Sequence, residues 1–132
     1  MSELVGNSVL ITGGLGYIGS NIAVRLAGLG YAVSIIDNNA SPSATLSTIE
    51  MIAGKRISFV EGDVRDRDVL NHTFTSIKID TVIHCAGLKS IADSWLQPFS
   101  YFDTNVGGTL TLINAMEANG VRQLIFSSSA TI

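Results

Sequence analysis

Five short apolar runs recur along the chain, and each of the first four is followed by a stretch whose apolar residues fall at helical spacing. The runs are Ser8–Thr12, Tyr31–Ile36, Ile57–Val60, Thr81–His84 and Leu124–Phe126. They are close to continuously apolar and rich in Val and Ile, as expected of strands covered on both faces. A first helix is predicted from Ile18, with Ile22, Leu26 and Leu29 facing inward and Gly30 ending it. Ser41-Pro42 reads as an N-cap and first-turn proline ahead of Leu46, Ile49 and Ile52, a short helix closing near Gly54. Asp66 is placed to cap a helix carrying Val69, Leu70 and Phe74. A short helix around Ala92–Trp95 ends at Pro98. A long one from Tyr101 to Asn119 carries Phe102, Val106, Leu110, Ile113 and Met116 on its apolar side, and Gly120 stops it. Parallel strands need crossovers, and helical crossovers cover both sheet faces. The pattern therefore predicts an α/β fold with a doubly wound parallel sheet, Rossmann-like, in strand order 3-2-1-4-5.

Composition narrows the function classes. Hydrophobic residues make up 46% of the 132 and charged residues 14%, which suits one domain with one buried sheet. The net charge is −3 with no basic cluster, so nucleic acid is not an expected partner. A single cysteine excludes an internal disulfide framework. No apolar run is long enough to span a bilayer, and no signal peptide is read at the N-terminus. The expectation is a cytoplasmic protein without a membrane partner.

Between the first run and the first helix stand Gly13, Gly16 and Gly19 in G-x-x-G-x-x-G. Glycines at this spacing serve three needs: a tight turn, close approach of backbone to a phosphate, and helix packing against the strand. The helix N-terminus then offers unpaired amides and partial positive charge to the anion. A glycine-rich turn with no ligand is the plainer alternative. Asp37 ends the second run at the distance expected for the acid that binds an adenosine ribose, where it would repel a 2′-phosphate. Asn38 and Asn39 follow where an NADP site more often has arginine, so NAD is favoured; a turn aspartate is the alternative. Asp63, just past the third run, is placed to accept a bond from the adenine amino group with Val64 on the ring, although turn chemistry would also explain Gly62-Asp63.

The segments TGGLGYIGS, IIDN, FVEGDVRD, DTVIHCAGLKS, NVGGTLTLINAM and FSSSAT together resemble the extended short-chain dehydrogenase/reductases, and among these the UDP-glucose 4-epimerase branch. The resemblance covers nearly the whole chain. It implies that Tyr17 and Ile18 lie at the pyrophosphate loop and that the stretch from Asp37, through Asn38 and Asn39 to Pro42, surrounds the ribose. It places Asp63 and Val64 at adenine, and Cys85, Ala86, Gly87, Leu88 and Lys89 along the cofactor, mostly through backbone. Asn105 would reach the cofactor region with its amide. Ser129 would be the catalytic serine, relaying a proton to a sugar hydroxyl, with Ser127 and Ser128 as alternatives. Gly107-Gly108 stands where the family usually has Asn-Gly, and close packing is a reason for glycine there.

The family's base is the tyrosine of a Tyr-x-x-x-Lys motif. Here Tyr17, Tyr31 and Tyr101 are followed four residues on by Asn21, Ile35 and Asn105. The reading is thus an NAD-binding domain over residues 1–132, truncated after the fifth strand, with the sugar-binding domain and the base lying beyond it. The parent would be an NAD-dependent isomerase acting on a UDP-hexose through a 4-keto intermediate, a homodimer at full length, and the chain alone inactive. Related sugar-nucleotide dehydratases, decarboxylases and uronate epimerases, or a non-catalytic dinucleotide-binding module, are the alternatives. An exposed fifth-strand edge is expected to leave the isolated chain marginal or self-associating. Plainer readings are given to Cys85 as a buried hydrophobe, His84 as a satisfied core histidine, His72 as a helix-surface residue and Trp95 as a packing residue. No metal site is expected.

Overall fold

The structure, a computed structural model, describes residues 6–128. Five strands, β1 (Ser8–Thr12), β2 (Ala32–Asp37), β3 (Ser58–Glu61), β4 (Thr81–His84) and β5 (Gln123–Phe126), form one parallel sheet in the order β3-β2-β1-β4-β5. The helices are α1 (Tyr17–Gly28), α2 (Leu46–Ala53), α3 (Arg67–Ser76), α4 (Ile91–Leu96), α5 (Pro98–Tyr101) and α6 (Gly108–Ala118). A π-helical turn over Phe102–Gly107 joins α5 to α6. Alternate strand residues face opposite layers. Val9, Ile11, Val33, Ile35, Ile57 and Ile83 pack with α1 and α2. Leu10, Ile36, Val82 and Leu124 pack with α3 and α6. Both faces of the sheet are thereby covered, which is why the strands read as near-continuous apolar runs. No helix among the described residues is long and apolar enough to cross a membrane.

The helix signals fare unevenly. Asp66 caps α3 as predicted, its carboxylate accepting from the Asp68 and Val69 amides. Gly30 and Gly54 follow α1 and α2 with φ of +97° and +73°. The predicted cap at Ser41-Pro42 is displaced to Thr45, whose hydroxyl accepts from the Thr48 amide. The reason is upstream: the Ser43 and Ala44 amides both donate to the Leu15 carbonyl, tying this segment to the glycine loop. In α1 the residues closest to the sheet are small (Gly19, Ser20, Ala23 and Ala27), so Ile22 and Leu26 are only half-buried and Leu29 is exposed. Ile52 is likewise exposed, while Ile49 fills the inward position of α2.

The long helix is rotated relative to the expectation. It begins at Pro98 rather than Tyr101, and the buried face of α6 is Gly108, Leu112, Ala115 and Met116. Phe102, Val106, Leu110 and Ile113 are exposed. Two stripes satisfy helical spacing here, and side-chain size picks between them. Gly108 lets the helix come close: a Cβ there would lie 2.8 Å from Val64 Cγ2. Gly107 has no such constraint, its nearest neighbour being Asp103 Oδ1 at 3.5 Å. Trp95 does not pack; it is 83% exposed. On the β5 edge, Ile125 and Phe126 are exposed.

Candidate functional site

The exits of β1, β2, β3 and β4 all open at one end of the sheet, and each carries side chains toward the others. At the β1 exit the three predicted glycines do three different jobs. Gly13 turns the chain with φ +66°, and its amide donates to the Ile36 carbonyl at 2.8 Å. A Cβ there would lie 2.7 Å from the Ala86 amide nitrogen and 2.8 Å from Ala86 Cα. At Gly19 a Cβ would run into the Gly13 carbonyl oxygen and lie 2.9 Å from Gly14 Cα, so this glycine seats α1 on the turn. Gly16 is the N-cap of α1 in extended conformation, and a Cβ would meet only the Gly13 oxygen, at 3.2 Å. Its bareness leaves the open side of the turn uncovered. No side chain caps α1, so the amides of Tyr17, Ile18 and Gly19 have no intrahelical acceptor and point out of the helix end. Gly14 was not singled out from the sequence, yet a Cβ there would lie 2.5 Å from Ile35 Cγ2.

Asp37, half-buried at the end of β2, spends its carboxylate on two local bonds. Oδ2 accepts from the Leu15 amide at 3.0 Å and Oδ1 from the Asn39 amide at 2.7 Å. Both the turn role and the approach to the glycine loop are therefore present. Asn38 repeats the turn, its Oδ1 accepting from the Ala40 amide at 3.1 Å, and Asn39 takes up φ +58°.

At the β3 exit Asp63 is gripped by Arg65, a residue the sequence reading passed over. Arg65 Nε and Nη2 donate to the two carboxylate oxygens at 3.0 and 2.8 Å, and its backbone amide adds a third bond at 2.8 Å. The Arg65 guanidinium thus holds the Asp63 carboxyl below the usual carboxylate range, against the opposing pull of partial burial. Val64 is buried beneath α6.

The β4 exit is organised by a buried chain of hydrogen bonds. Thr12 Oγ1 accepts from the Cys85 and Ala86 amides, each at 3.1 Å. With both acceptor positions used, its hydroxyl proton goes to His84 Nδ1 at 2.6 Å. His84 Nε2 then donates to Thr109 Oγ1 at 2.9 Å, since that hydroxyl donates onward to the Asn105 carbonyl at 2.6 Å. One tautomer fits, the neutral Nε2–H form, and burial lowers the pKa of His84 in the same direction. The satisfied-core reading of His84 holds, with the addition that it fixes the loop after β4. Asn105 brackets the next part of that loop: Oδ1 accepts from the Leu88 amide at 2.8 Å and Nδ2 donates to the Leu88 carbonyl at 2.9 Å. Cys85 is buried, and burial pushes its thiol up, away from reactivity.

These exits enclose a cleft of about 440 Å³. Gly13, Gly16 and Tyr17 line it from the β1 side, Asp37 and Asn38 from β2, Asp63 and Val64 from β3, and Cys85, Ala86, Gly87, Leu88 and Lys89 from β4. The remaining candidates are not among its wall residues: Ile18 and Gly19 on α1, Asn39 in its turn, Asn105, which bonds Leu88, and Ser127, whose amide donates to the His84 carbonyl at 3.1 Å. Ser129 lies outside the described residues. The walls also include Ser41, from the stretch expected around the ribose, and Ser43 and Tyr101, which the sequence reading did not place at a site. A second cavity of about 420 Å³, between Ile113, Met116, Val121 and Leu124, lies away from the strand exits and holds none of these groups. Among the described residues no cluster of His, Cys, Asp and Glu is suited to a metal ion.

Known proteins share this fold. Residues 9–132 match the model of the NAD dependent epimerase/dehydratase family. The UDP-glucose 4-epimerase of Neisseria meningitidis serogroup C is 44% identical over 125 residues, covering 94% of this chain and 37% of that protein. A UDP-glucose 4-epimerase from Klebsiella pneumoniae is 46% identical, covering 94% of this chain and 90% of its own length. Among solved structures, the Stenotrophomonas maltophila enzyme with NAD and formylated UDP-arabinopyranose superposes with a TM-score of 0.92 at 41% identity, covering 96% of this chain and 38% of that one. The Bifidobacterium longum enzyme with NAD+ and UDP gives 0.91 at 40% identity, covering 95% and 38%. The chain thus spans little more than a third of most of these relatives. Matched along nearly all its length by family and fold, the chain belongs to the NAD dependent epimerase/dehydratase family.

Proposed function

We propose that this chain is the NAD-binding portion of a nucleotide-sugar epimerase that interconverts UDP-glucose and UDP-galactose through a 4-keto intermediate. The observation that carries the reading is the uncapped start of α1. Three outward amides, a bare Gly16 and the cleft beyond them suit a pyrophosphate, for charge and for room alike. The other walls suit the two ends of a dinucleotide. Asp37, with lone pairs left beyond its two bonds, would accept from the adenosine ribose hydroxyls. Asp63 and Val64 would hold adenine. The backbone from Cys85 to Leu88, with Lys89, would run along the nicotinamide ribose. Bound NAD supplies the hydride acceptor for oxidation of the sugar. Ser129 would relay the proton, and the sugar, the homodimer and the domain assignment to residues 1–132 belong to the same proposal. The chain contains no Tyr-x-x-x-Lys pair, so by itself it is expected to bind cofactor without epimerising.

Titration with NAD and NADP tests the reading. NAD is expected to bind at least tenfold more tightly than NADP, because the Asp37 carboxylate repels a 2′-phosphate. Asp37→Ala should weaken NAD by about tenfold, the scale of a lost hydrogen bond to a charged group, and narrow the gap to NADP. Equal affinity for the two in the unaltered chain would remove the assignment of Asp37.

A further inference from the structure

Asp63 does not stand alone in the cleft wall, and we infer that Arg65 and Asp103 are positioning residues that aim its carboxylate at the adenine amino group. The inference rests on the NAD-binding reading above and extends it to residues that line no part of the cleft. Arg65 reaches in two directions at once. Its Nε and Nη2 hold both oxygens of Asp63, while Nη1 donates to Asp103 Oδ2 at 2.7 Å. Asp103 lies in the π-helical turn Phe102–Gly107. The β3 exit is thus fixed to the same turn whose Asn105 brackets Leu88 in the β4 exit. One short segment thereby holds both walls of the cleft.

A second observation points the same way. At Gly108, one residue past that turn, a Cβ would lie 2.8 Å from Val64 Cγ2 and 3.6 Å from Arg65 Cγ. The helix is therefore shaped around the Val64–Arg65 pair, and the arginine stem is seated there as well as its charge. The planar fork of guanidinium against carboxylate fixes the plane of Asp63 as a single ammonium would not.

Arg65 and Asp103 are 42% and 65% exposed. Exposed ion pairs contribute little to folding. Their removal should therefore change ligand selection far more than melting temperature. The probe is nicotinamide hypoxanthine dinucleotide, in which a carbonyl replaces the 6-amino group of adenine. The unaltered chain should prefer NAD over this analogue by about tenfold. Arg65→Gln, which keeps the stem beside Gly108, should reduce the preference to about twofold while changing affinity for the analogue less than threefold. Asp103→Asn, an exposed change that leaves the Asp63–Arg65 fork in place, should give an intermediate preference. A tenfold preference persisting in Arg65→Gln, or an equal loss for both dinucleotides in either variant, overturns the inference. No discrimination by the unaltered chain overturns it too, by removing Asp63 as the reader of the amino group. Failure of the unaltered chain to bind NAD at all is a different result, one that brings down the functional reading itself.

Discussion

Gly13→Ala is expected to cost about 3 kcal/mol of folding stability or more, and Gly16→Ala less than about 1 kcal/mol. The first substitution meets two penalties. A left-handed backbone costs a residue with a Cβ about 1–2 kcal/mol. Forcing a methyl into a filled site costs about 1–3 kcal/mol. Here φ is +66° and the obstacles are main-chain atoms of Cys85 and Ala86, which have no rotamer to move to. Gly16 has φ −72° and only one close neighbour, the Gly13 carbonyl oxygen at 3.2 Å, so alanine needs only a small local shift. On the proposed NAD-binding reading it should instead weaken NAD, because its methyl would stand where the pyrophosphate is proposed to approach. Urea unfolding of the two variants, with NAD titration of Gly16→Ala, measures both. Equal stability losses would dissolve the division of labour among the glycines.

His84→Leu should cost about 2–3 kcal/mol, the range expected when buried hydrogen-bonding groups lose a partner. It leaves the Thr12 hydroxyl without its acceptor and Thr109 without its donor. The variant should also lose a pH dependence that the unaltered chain shows. Burial holds the folded-state pKa of His84 below the ordinary value of 6.5, which the unfolded chain retains. As pH falls below about 6.5 the unfolded chain takes up a proton that the folded chain refuses, so stability declines; above that pH it is flat. Protonation at Nδ1 would place a donor against a Thr12 hydroxyl that already accepts twice. Asp63, whose pKa is lowered mainly by Arg65, adds its own loss of stability only below the carboxylate range, near 3.8 and under. The two windows are separate. Chemical denaturation at pH 7.5 and pH 5.5 should therefore show a drop in the unaltered chain and none in His84→Leu. A variant that keeps the full drop would exclude His84 as its source.

The strands were legible because burial on both faces leaves a run of β-branched residues that no amphipathic helix would have. The glycine turn and Asp37 were legible because a strand–turn–helix beside the end of the next strand fixes their spacing along the chain. Other features depend on what lies opposite, which no local window records. The side of α6 that meets the sheet is decided by Gly108 against Val64, 44 positions earlier in the numbering, and not by the larger stripe through Phe102 and Leu110. Arg65 reads as a surface charge until Asp103 arrives beside it from 38 residues away. The Ser41-Pro42 cap signal is sound locally, yet it is overruled by the Leu15 carbonyl, which claims the amides that would have begun the helix.

Thr12 and His84 are level with each other in the ladder between β1 and β4. A slip of one residue between these strands would bring Ile83 beside Thr12 and turn the imidazole toward the opposite layer, stranding polar groups on both sides. The pair therefore helps fix the alignment of β1 with β4, beside the apolar contacts around it. Insertions and deletions between them should be tolerated only where they leave that alignment intact, in the connections at the other end of the sheet.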